Sequence, residues 1–169
     1  MSEHKGRVIV ITGGETGIGR AAVLRLATQG AIMVIGGILE EEGAATVKAV
    51  RDAGGRAEFH RTDVRKTDQV DALVDGAVRD HGRIDGLICS AAVFDGFASG
   101  IDTTDALWDH IMDVNTRGTF LACRAALRHM VPAGKGRIVN VASIGGLVGM
   151  ADGASYTASK HAVVGLTKR

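Results

Sequence analysis

Short apolar runs alternate with longer stretches of helical periodicity along this chain, and this alternation constrains its fold more than any other feature. The runs RVIVIT (7–12) and AIMVIG (31–36) are apolar at nearly every position and have the length of a strand. Strands with this composition are typical of a parallel sheet that is covered on both faces. Further along the chain, three more strands are predicted at 56–61, 85–90 and 136–143.

A helix is predicted after each of these strands. The helices are predicted at 19–30, 40–55, 66–81, 104–130 and 155–169. The fourth is expected to be one uninterrupted helix, which begins at a Thr/Asp cap and is stopped by Pro132. Strands that alternate with helices of this length form βαβ units, so the predicted fold class is α/β, a doubly wound parallel sheet with helices on both faces. Ligands bind to such sheets at the carboxyl ends of the strands.

Composition and charge exclude several classes of function. The 169 residues are expected to form a single domain (1–169), and their net charge of +1 gives no electrostatic footprint for nucleic acid or a membrane surface. Cys89 and Cys123 are too few for a disulfide framework or a zinc cluster, and the histidines lack ligand spacing, so no metal site is expected. The polar N-terminal residues do not resemble a signal peptide. Together these features predict a cytoplasmic protein.

The segment TGGETGIGR (12–20) lies between the first predicted strand and the first predicted helix. Gly13 is expected to allow a turn with positive φ, Gly17 a close approach by a pyrophosphate, and Gly19 tight packing of the helix. The helix N-terminus then presents free N–H groups to a phosphate. We therefore predict a nucleotide site here, with an ordinary glycine-rich turn as the alternative. A P-loop is excluded because no Lys-Ser/Thr pair ends the segment.

Five motifs, taken in order, resemble the short form of the short-chain dehydrogenase/reductase family over essentially the whole chain. They are TGxxxGxG at 12–19, TDV at 62–64, VNTRGTF at 114–120, IVNVAS at 138–143 and YTASK at 156–160. The interval of thirteen residues between Ser143 and Tyr156 also matches the family pattern. The resemblance implies a dinucleotide cofactor, with Asp63 at its adenine. The implied cofactor-binding residues are Gly13, Thr16, Gly17, Ile18, Gly19, Asp63, Val64, Ser90, Ala91, Tyr156 and Lys160.

The resemblance also implies a catalytic set, which consists of Asn115, Ser143, Tyr156 and Lys160. Tyr156 and Lys160 are four residues apart, so they share one face of a helix. Hydride transfer at a carbinol carbon requires a proton to leave or join the oxygen, and Tyr156 is the implied general acid/base. Lys160 would favour the phenolate and hold the nicotinamide ribose. Ser143 would bond the substrate oxygen, and Asn115 would anchor a water that links Lys160 to solvent.

Each of these residues also has an interpretation without catalysis. Tyr156 and Lys160 could form a partly exposed pair on a helix, with the lysine reaching towards water. Ser143 could cap the loop after its strand. Asn115 could be a polar position within a helix, which is unfavourable unless its side chain bonds to another group.

Two positions depart from the family pattern. Where the family usually has NNAG after the fourth strand, this chain has Cys89-Ser90-Ala91-Ala92, which weakens this segment as a cofactor site. At the end of the second strand, where an acid selects NAD and a base selects NADP, the chain has Gly37. No Lys or Arg stands at 15, 16, 37 or 38, and Glu40 to Glu42 would repel a phosphate. NAD is therefore favoured over NADP.

The sequence stops nine residues after Lys160, within a predicted helix, whereas members of the resembled family continue with further strands. We therefore expect a C-terminally incomplete sequence whose fold lacks the family's last strands. The leading functional prediction is an NAD(P)-dependent oxidoreductase that interconverts a small-molecule alcohol and a ketone. The alternatives are a non-catalytic dinucleotide-binding module or inactive truncated relative, and a structural remnant. The resemblance further implies a homodimer or homotetramer.

Overall fold

Five parallel strands form a sheet at the centre of the molecule, with helices on both faces. The computed structural model describes residues 3–149 and 152–168. Its elements are, in chain order, β1 (Val8–Thr12), α1 (Gly17–Thr28), β2 (Ile32–Gly37), α2 (Glu40–Asp52), β3 (Arg56–Arg61), α3 (Thr67–His81), β4 (Gly86–Cys89), α4 (Asp105–Ile111), a π-helical segment (Met112–Arg117), α5 (Gly118–Met130), β5 (Arg137–Asn140), a 3₁₀ turn (Ile144–Gly146) and α6 (Ala154–Thr167). The strands lie in the order β3-β2-β1-β4-β5, and neighbouring strands are parallel. The predicted doubly wound α/β fold is confirmed.

The apolar runs of the sequence are divided between two cores, because successive side chains of a strand point to opposite faces of the sheet. In β1, Val8 and Val10 lie in the core beneath α3 and α5, whereas Ile9 and Ile11 lie in the core beneath α1 and α2. All four side chains are at most 7% exposed. Burial on both faces is the reason that β1 reads as a continuous apolar run. None of the described helices is long and apolar enough to cross a membrane.

The strand order leaves a crevice at the carboxyl ends of β1 and β4. The chain passes outward from β1 through β2 to β3 and then returns to the other side of β1 at β4. At such a reversal, the loops after the two central strands lead to opposite faces of the sheet and leave an opening between them. The topology therefore indicates where a ligand binds before any side chain is considered.

The helix predicted at 104–130 differs from the structure in its middle. The residues Met112–Arg117 form a wider π-helical segment between α4 and α5. This segment contains Asn115, whose side-chain amide is bonded outside the helix, to the backbone of Val93 and to Ser159 Oγ. These outside contacts account for the widened turn, and π segments of this kind are frequent at functional sites. The prediction of one uninterrupted α-helix was therefore wrong.

β5 is shorter than the strand predicted at 136–143. Its ladder with β4 covers Arg137–Asn140. Beyond the ladder, the carbonyl of Val141 accepts a hydrogen bond from Lys160 Nζ at 2.9 Å. The N–H of Val141 still donates to the carbonyl of Cys89 at 2.9 Å, so the chain leaves the sheet after Val141.

Replacement of Ile35 by alanine tests the core between the sheet, α1 and α2. Ile35 is fully buried in β2, so its truncation leaves a cavity, and we expect the free energy of unfolding to fall by about 2–5 kcal/mol. The matched control is Ile101→Ala, because Ile101 is 98% exposed and its truncation removes little packing. Both variants are measured by urea denaturation followed by circular dichroism. Equal losses at the two positions would contradict this packing.

Candidate functional site

A cavity of about 510 Å³ lies at the carboxyl ends of β1 and β4. Its volume is in the range of protein pockets that bind small molecules and cofactors. Three of the residues expected in a site, Gly19, Asn115 and Ser143, lie outside the lining of this cavity. The other ten line it: Gly13, Thr16, Gly17, Ile18, Asp63, Val64, Ser90, Ala91, Tyr156 and Lys160.

The turn after β1 is held by close contacts that require glycine. Gly13 has a φ of +69°, and its N–H donates to the carbonyl of Gly36 at 2.8 Å. A Cβ atom on Gly13 would lie 2.6 Å from the backbone nitrogen of Ala91, so the turn lies directly on the loop after β4. A Cβ atom on Gly19 would overlap the carbonyl oxygen of Gly13. The first turn of α1 is therefore in direct backbone contact with the turn that precedes it.

The N-terminus of α1 faces the cavity, and the N–H groups of Gly17 and Ile18 have no acceptor among the residues that the structure describes. Its N-cap residue is Thr16, whose side chain makes no capping hydrogen bond, and its first turn contains no acidic residue. A Cβ atom on Gly17 would meet no described atom within 4 Å, so the backbone is accessible there. Helices bind phosphate with such free N–H groups and with the positive end of the helix dipole. These residues fit the pyrophosphate of a dinucleotide.

Glu15 is buried in the wall of the same cavity. The residue is 5% exposed, and its Oε1 accepts a hydrogen bond from the N–H of Ile38 at 3.1 Å. Its Oε2 is also buried and has no hydrogen-bond partner among the residues that the structure describes. The carboxylate lies against Gly37, at the end of β2, where a Cβ atom would overlap it. The Glu15 carboxylate therefore occupies the space beside Gly37, a residue that has no side chain of its own.

Asp63, the expected adenine contact, forms an ion pair with Arg65. Arg65 Nη2 lies 2.7 Å from Asp63 Oδ2, and Arg65 Nε donates to Asp63 Oδ1 at 2.9 Å. The hydrogen bond from Arg65 lowers the pKa of Asp63 below its usual value. Asp63 is therefore a charged acceptor, and its carboxylate retains lone pairs for a further donor.

Tyr156 and Lys160 lie on α6 and line the cavity together. Lys160 Nζ lies 5.4 Å from the centre of the Tyr156 ring. Lys160 is 3% exposed, and burial lowers the pKa of its ammonium group. Its Nζ is fixed by the hydrogen bond to the carbonyl of Val141. A phenol and a buried amine that converge on one cavity can exchange protons with a bound oxygen atom.

Asn115 lies behind the cavity and joins two of its walls. Its Oδ1 accepts a hydrogen bond from the N–H of Val93 at 2.8 Å, and its Nδ2 donates to the carbonyl of Val93 at 3.0 Å. The same Nδ2 donates to Ser159 Oγ at 3.1 Å, next to Lys160 on α6. Both amide hydrogens are therefore used within the protein. A relay water at this residue would bond to one of its oxygen atoms.

Ser143 lies between β5 and the 3₁₀ turn. Its Oγ accepts a hydrogen bond from the N–H of Gly145 at 3.2 Å, so the hydroxyl caps this turn. A serine hydroxyl that accepts one bond retains its hydrogen for another acceptor. The capping contact is therefore compatible with donation to a substrate oxygen.

Asp95 fixes the loop after β4 to the start of α6. The residue is 6% exposed, and its Oδ2 accepts hydrogen bonds from the N–H of Tyr156 at 2.8 Å and from Ser155 Oγ at 2.9 Å. It acts as the N-cap of α6, because the residue at the N-cap position is Gly153, which makes no side-chain hydrogen bond. Phe94 of the same loop packs its ring edge against Tyr156, with ring centres 5.1 Å apart. The loop and the helix therefore position Tyr156 together.

Comparison with known proteins identifies the family of this chain. The family model described as short chain dehydrogenase matches residues 7–169. The chain belongs to this family. A 3beta-hydroxysteroid dehydrogenase from Mediterraneibacter gnavus is 39% identical over 99% of the chain. A cis-4-hydroxycyclohexanecarboxylate dehydrogenase from Sinomonas cyclohexanicum is 44% identical over 96% of the chain.

The structure of the chain also resembles those of solved short-chain dehydrogenases. It matches the crystal structure of an NAD⁺-bound xylitol dehydrogenase over 98% of the chain, with a TM-score of 0.94 and 33% identity. The chain spans 60% of the length of the hydroxysteroid dehydrogenase, 65% of the hydroxycyclohexanecarboxylate dehydrogenase and 64% of the xylitol dehydrogenase. The family resemblance carried by the sequence motifs is confirmed.

Two buried carboxylates of the site were not predicted from the sequence. Asp95 does carry a signal, because it is the one acidic residue in the otherwise apolar and glycine-rich segment VFDGFASG (93–100). The sequence signal at Glu15 is weaker, since the motif TGxxxGxG allows any residue at this position. Its contact with Gly37 depends on how the loop after β1 packs against the end of β2.

Replacement of Gly19 by alanine tests the contact between the glycine turn and α1. Because the new Cβ would overlap the Gly13 carbonyl, we expect the free energy of unfolding to fall by about 1–3 kcal/mol. The matched control is Gly165→Ala on α6, where a Cβ meets no described atom within 4 Å. Alanine is favoured over glycine in a helix, so the control is expected to gain up to about 1 kcal/mol. Urea denaturation measures both, and an unchanged stability of Gly19→Ala would refute the contact.

Replacement of Asp95 by alanine tests the attachment of α6 to the loop after β4. The variant leaves the N–H of Tyr156 without its acceptor, and we expect a loss of about 1–3 kcal/mol in the free energy of unfolding. Asp102→Ala is the matched control, because Asp102 lies on the same loop but is exposed. The two are compared by thermal and urea denaturation. If Asp102→Ala costs as much as Asp95→Ala, the buried carboxylate does not hold α6.

Proposed function

We propose that this chain carries the cofactor site and the proton-transfer groups of an NAD(P)-dependent oxidoreductase, which interconverts an alcohol and a ketone. The observation that carries the proposal is the cavity at the carboxyl ends of β1 and β4. The free N–H groups of α1 lie on its wall, and so do the side chains of Tyr156 and Lys160. A phosphate-binding element and a proton-transfer pair thus face one space.

The residues of the cavity fit an elongated dinucleotide. Thr16, Gly17 and Ile18 would hold the pyrophosphate at the start of α1, and Asp63 and Val64 would contact the adenine. Ser90 and Ala91, on the loop after β4, would line the path towards Tyr156 and Lys160. Bound there, the nicotinamide supplies the acceptor or donor of the hydride.

Tyr156 would carry the proton that must accompany the hydride. Its phenol would donate to a ketone oxygen in reduction or accept the hydroxyl proton in oxidation. Lys160 lies 5.4 Å from the ring centre, and its positive charge would favour the phenolate. Burial lowers the pKa of Lys160, and its hydrogen bond to the carbonyl of Val141 holds Nζ beside the Tyr156 ring.

Ser143 and Asn115 would support this proton transfer from outside the cavity lining. Ser143 would donate its hydroxyl hydrogen to the substrate oxygen and so stabilise the charge that develops there. Asn115 keeps α6 and the loop after β4 together through its bonds to Ser159 and Val93. One of its oxygen atoms would hold the relay water.

The substrate we propose is a small alcohol or ketone with an apolar body. Phe94 packs against Tyr156 and Phe97 packs against Phe94, with 47% and 69% of their surfaces exposed. Leu147, on the loop after β5, is 65% exposed. Apolar side chains exposed next to a polar centre are typical of a ligand-binding surface. Two relatives are named for ring alcohols, a 3beta-hydroxysteroid and a cis-4-hydroxycyclohexanecarboxylate, which fits such a surface.

We also propose a cytoplasmic homodimer or homotetramer. Phe120, Leu127 and Val131, on and directly after α5, are exposed apolar residues, which favours association with a second copy. Cys89 and Cys123 are free, buried thiols, as expected in a reducing compartment. NAD is proposed as the preferred cofactor, because the carboxylate of Glu15 lies against Gly37 at the end of β2.

Replacement of Tyr156 by phenylalanine tests the proposed proton transfer. The variant keeps the ring but loses the phenol, so we expect kcat to fall at least about a hundredfold while the Kd for NADH is unchanged. Turnover is measured with NAD and either cyclohexanol or cis-4-hydroxycyclohexanecarboxylate. The matched control is Thr157→Val, which removes a hydroxyl from the neighbouring residue of α6, outside the cavity lining.

The outcomes of this test separate the proposal from its alternative. Undiminished turnover in Tyr156→Phe would refute the role of Tyr156. A wild-type chain that binds NADH but turns over neither alcohol would instead support a dinucleotide-binding module without catalysis.

A further inference from the structure

The carboxylate of Glu15 is incompletely bonded at the edge of the proposed cofactor site. Oε1 accepts one hydrogen bond, from the N–H of Ile38, whereas Oε2 has no partner among residues 3–149 and 152–168. The residue is 5% exposed and lines the cavity. A buried carboxylate without its full set of donors is costly, and a ligand that brings a donor relieves that cost.

The position of this carboxylate is defined by Gly37. A Cβ atom built on Gly37 would overlap Cδ and both carboxylate oxygens of Glu15, so the Glu15 side chain occupies the space of a side chain at position 37. In dinucleotide-binding βαβ folds, an acidic residue at the end of the second strand bonds the adenosine ribose 2′-hydroxyl of NAD. Here the strand ends in glycine, and the acid reaches the same space from the glycine turn.

Glu15 is also held in place from both sides. The N–H of Ile38 fixes Oε1, and the hydroxyl of Thr46 on α2 donates to the Glu15 carbonyl at 3.2 Å. The carboxylate is thus restrained by the segment after β2, and the backbone of Glu15 is restrained by α2, before any ligand binds. A group fixed in this way can discriminate between ligands, because little ordering is needed when they bind.

We propose that Glu15 selects NAD over NADP by accepting a hydrogen bond from the adenosine ribose 2′-hydroxyl through its carboxylate. The inference rests on the proposed function, because it assumes that the cavity holds a dinucleotide. A hydroxyl donates to the carboxylate, whereas a 2′-phosphate carries only acceptor oxygens and negative charge towards it. Glu15, in the glycine turn after β1, thereby takes the role of the acidic residue that is missing at position 37.

The cations of the cavity do not offset this repulsion. Among the described residues that line the cavity, Arg65, His110 and Lys160 can be positively charged. The Arg65 guanidinium is bonded to Asp63 through both Nε and Nη2, and Lys160 is bonded to Val141 beside Tyr156. Arg61, which stands opposite Gly37 on β3, is paired with Glu40 at 3.2 Å. A 2′-phosphate at Gly37 would therefore meet the Glu15 carboxylate beside arginines that are already paired with carboxylates.

The test measures the Kd values of the full chain by isothermal titration calorimetry. The probes are NADH, NADPH and the NADH analogue that lacks the adenosine 2′-hydroxyl. For the wild type we expect NADH to bind at least about tenfold more tightly than either of the others, the difference made by one charge-assisted hydrogen bond. In Glu15→Gln, the analogue without the 2′-hydroxyl should bind at most about twofold more weakly than NADH. The ratio of the NADPH Kd to the NADH Kd should fall about tenfold.

Two further variants make the result specific. Asp52→Asn removes an equal charge from an exposed position at the far end of α2 and should leave all three Kd values unchanged. The double variant Glu15→Ser/Gly37→Asp places the acid on the strand end and should restore the preference for NADH, which a general loss of structure could not do.

The outcomes distinguish this inference from the proposed function. A wild type that binds the 2′-deoxy analogue as tightly as NADH, or a Glu15→Gln variant with unchanged preference, overturns the role of Glu15 and leaves the dinucleotide site standing. A wild type that binds neither NADH nor NADPH overturns the proposed function together with this inference.

Discussion

The structure of the site depends on one close backbone contact, between the glycine turn after β1 and the loop after β4. Gly13 lies against the backbone of Ala91, and the first turn of α1 lies against Gly13. This double contact brings the free N–H groups of α1 to the reversal point of the sheet, where topology leaves a crevice. A side chain at Gly13 or Gly19 would separate these layers, and the cavity would lose the wall that we propose binds phosphate.

The other wall of the site is built from buried polar groups that connect neighbouring segments. Asp95 bonds the loop after β4 to α6, Asn115 bonds the same loop to the π segment, and Lys160 bonds α6 to the end of β5. Each group is at most 6% exposed. Removal of its partner therefore lowers the free energy of unfolding by more than the loss of a surface contact would. Tyr156 is therefore positioned by three segments and does not depend on helix propensity alone.

Sequence predicted the fold closely because β1 and β2 are apolar on both faces and each is followed by a helical stripe, so the α/β class had few competitors. It also predicted which loops meet, since the carboxyl ends of parallel strands share one edge. It did not predict the π segment, because the pull of Val93 and Ser159 on Asn115 is a tertiary effect. Nor did it place Glu15 beside Gly37 or Asp95 beneath Tyr156, since each contact joins residues more than twenty positions apart. The catalytic roles of Ser143, Tyr156 and Lys160 stay predictions that rest on the family.

The central claim is that the cavity between the glycine turn and α6 binds a dinucleotide. An NMR titration of the ¹⁵N-labelled chain with NADH tests it most directly, because each backbone amide reports its own surroundings. We expect the amides of 13–19, 90–93 and 156–160 to shift in a saturable way, while those near Arg7, Arg83 and Arg137 at the opposite end of the sheet do not. Shifts confined to those basic residues, or none at millimolar NADH, would contradict it.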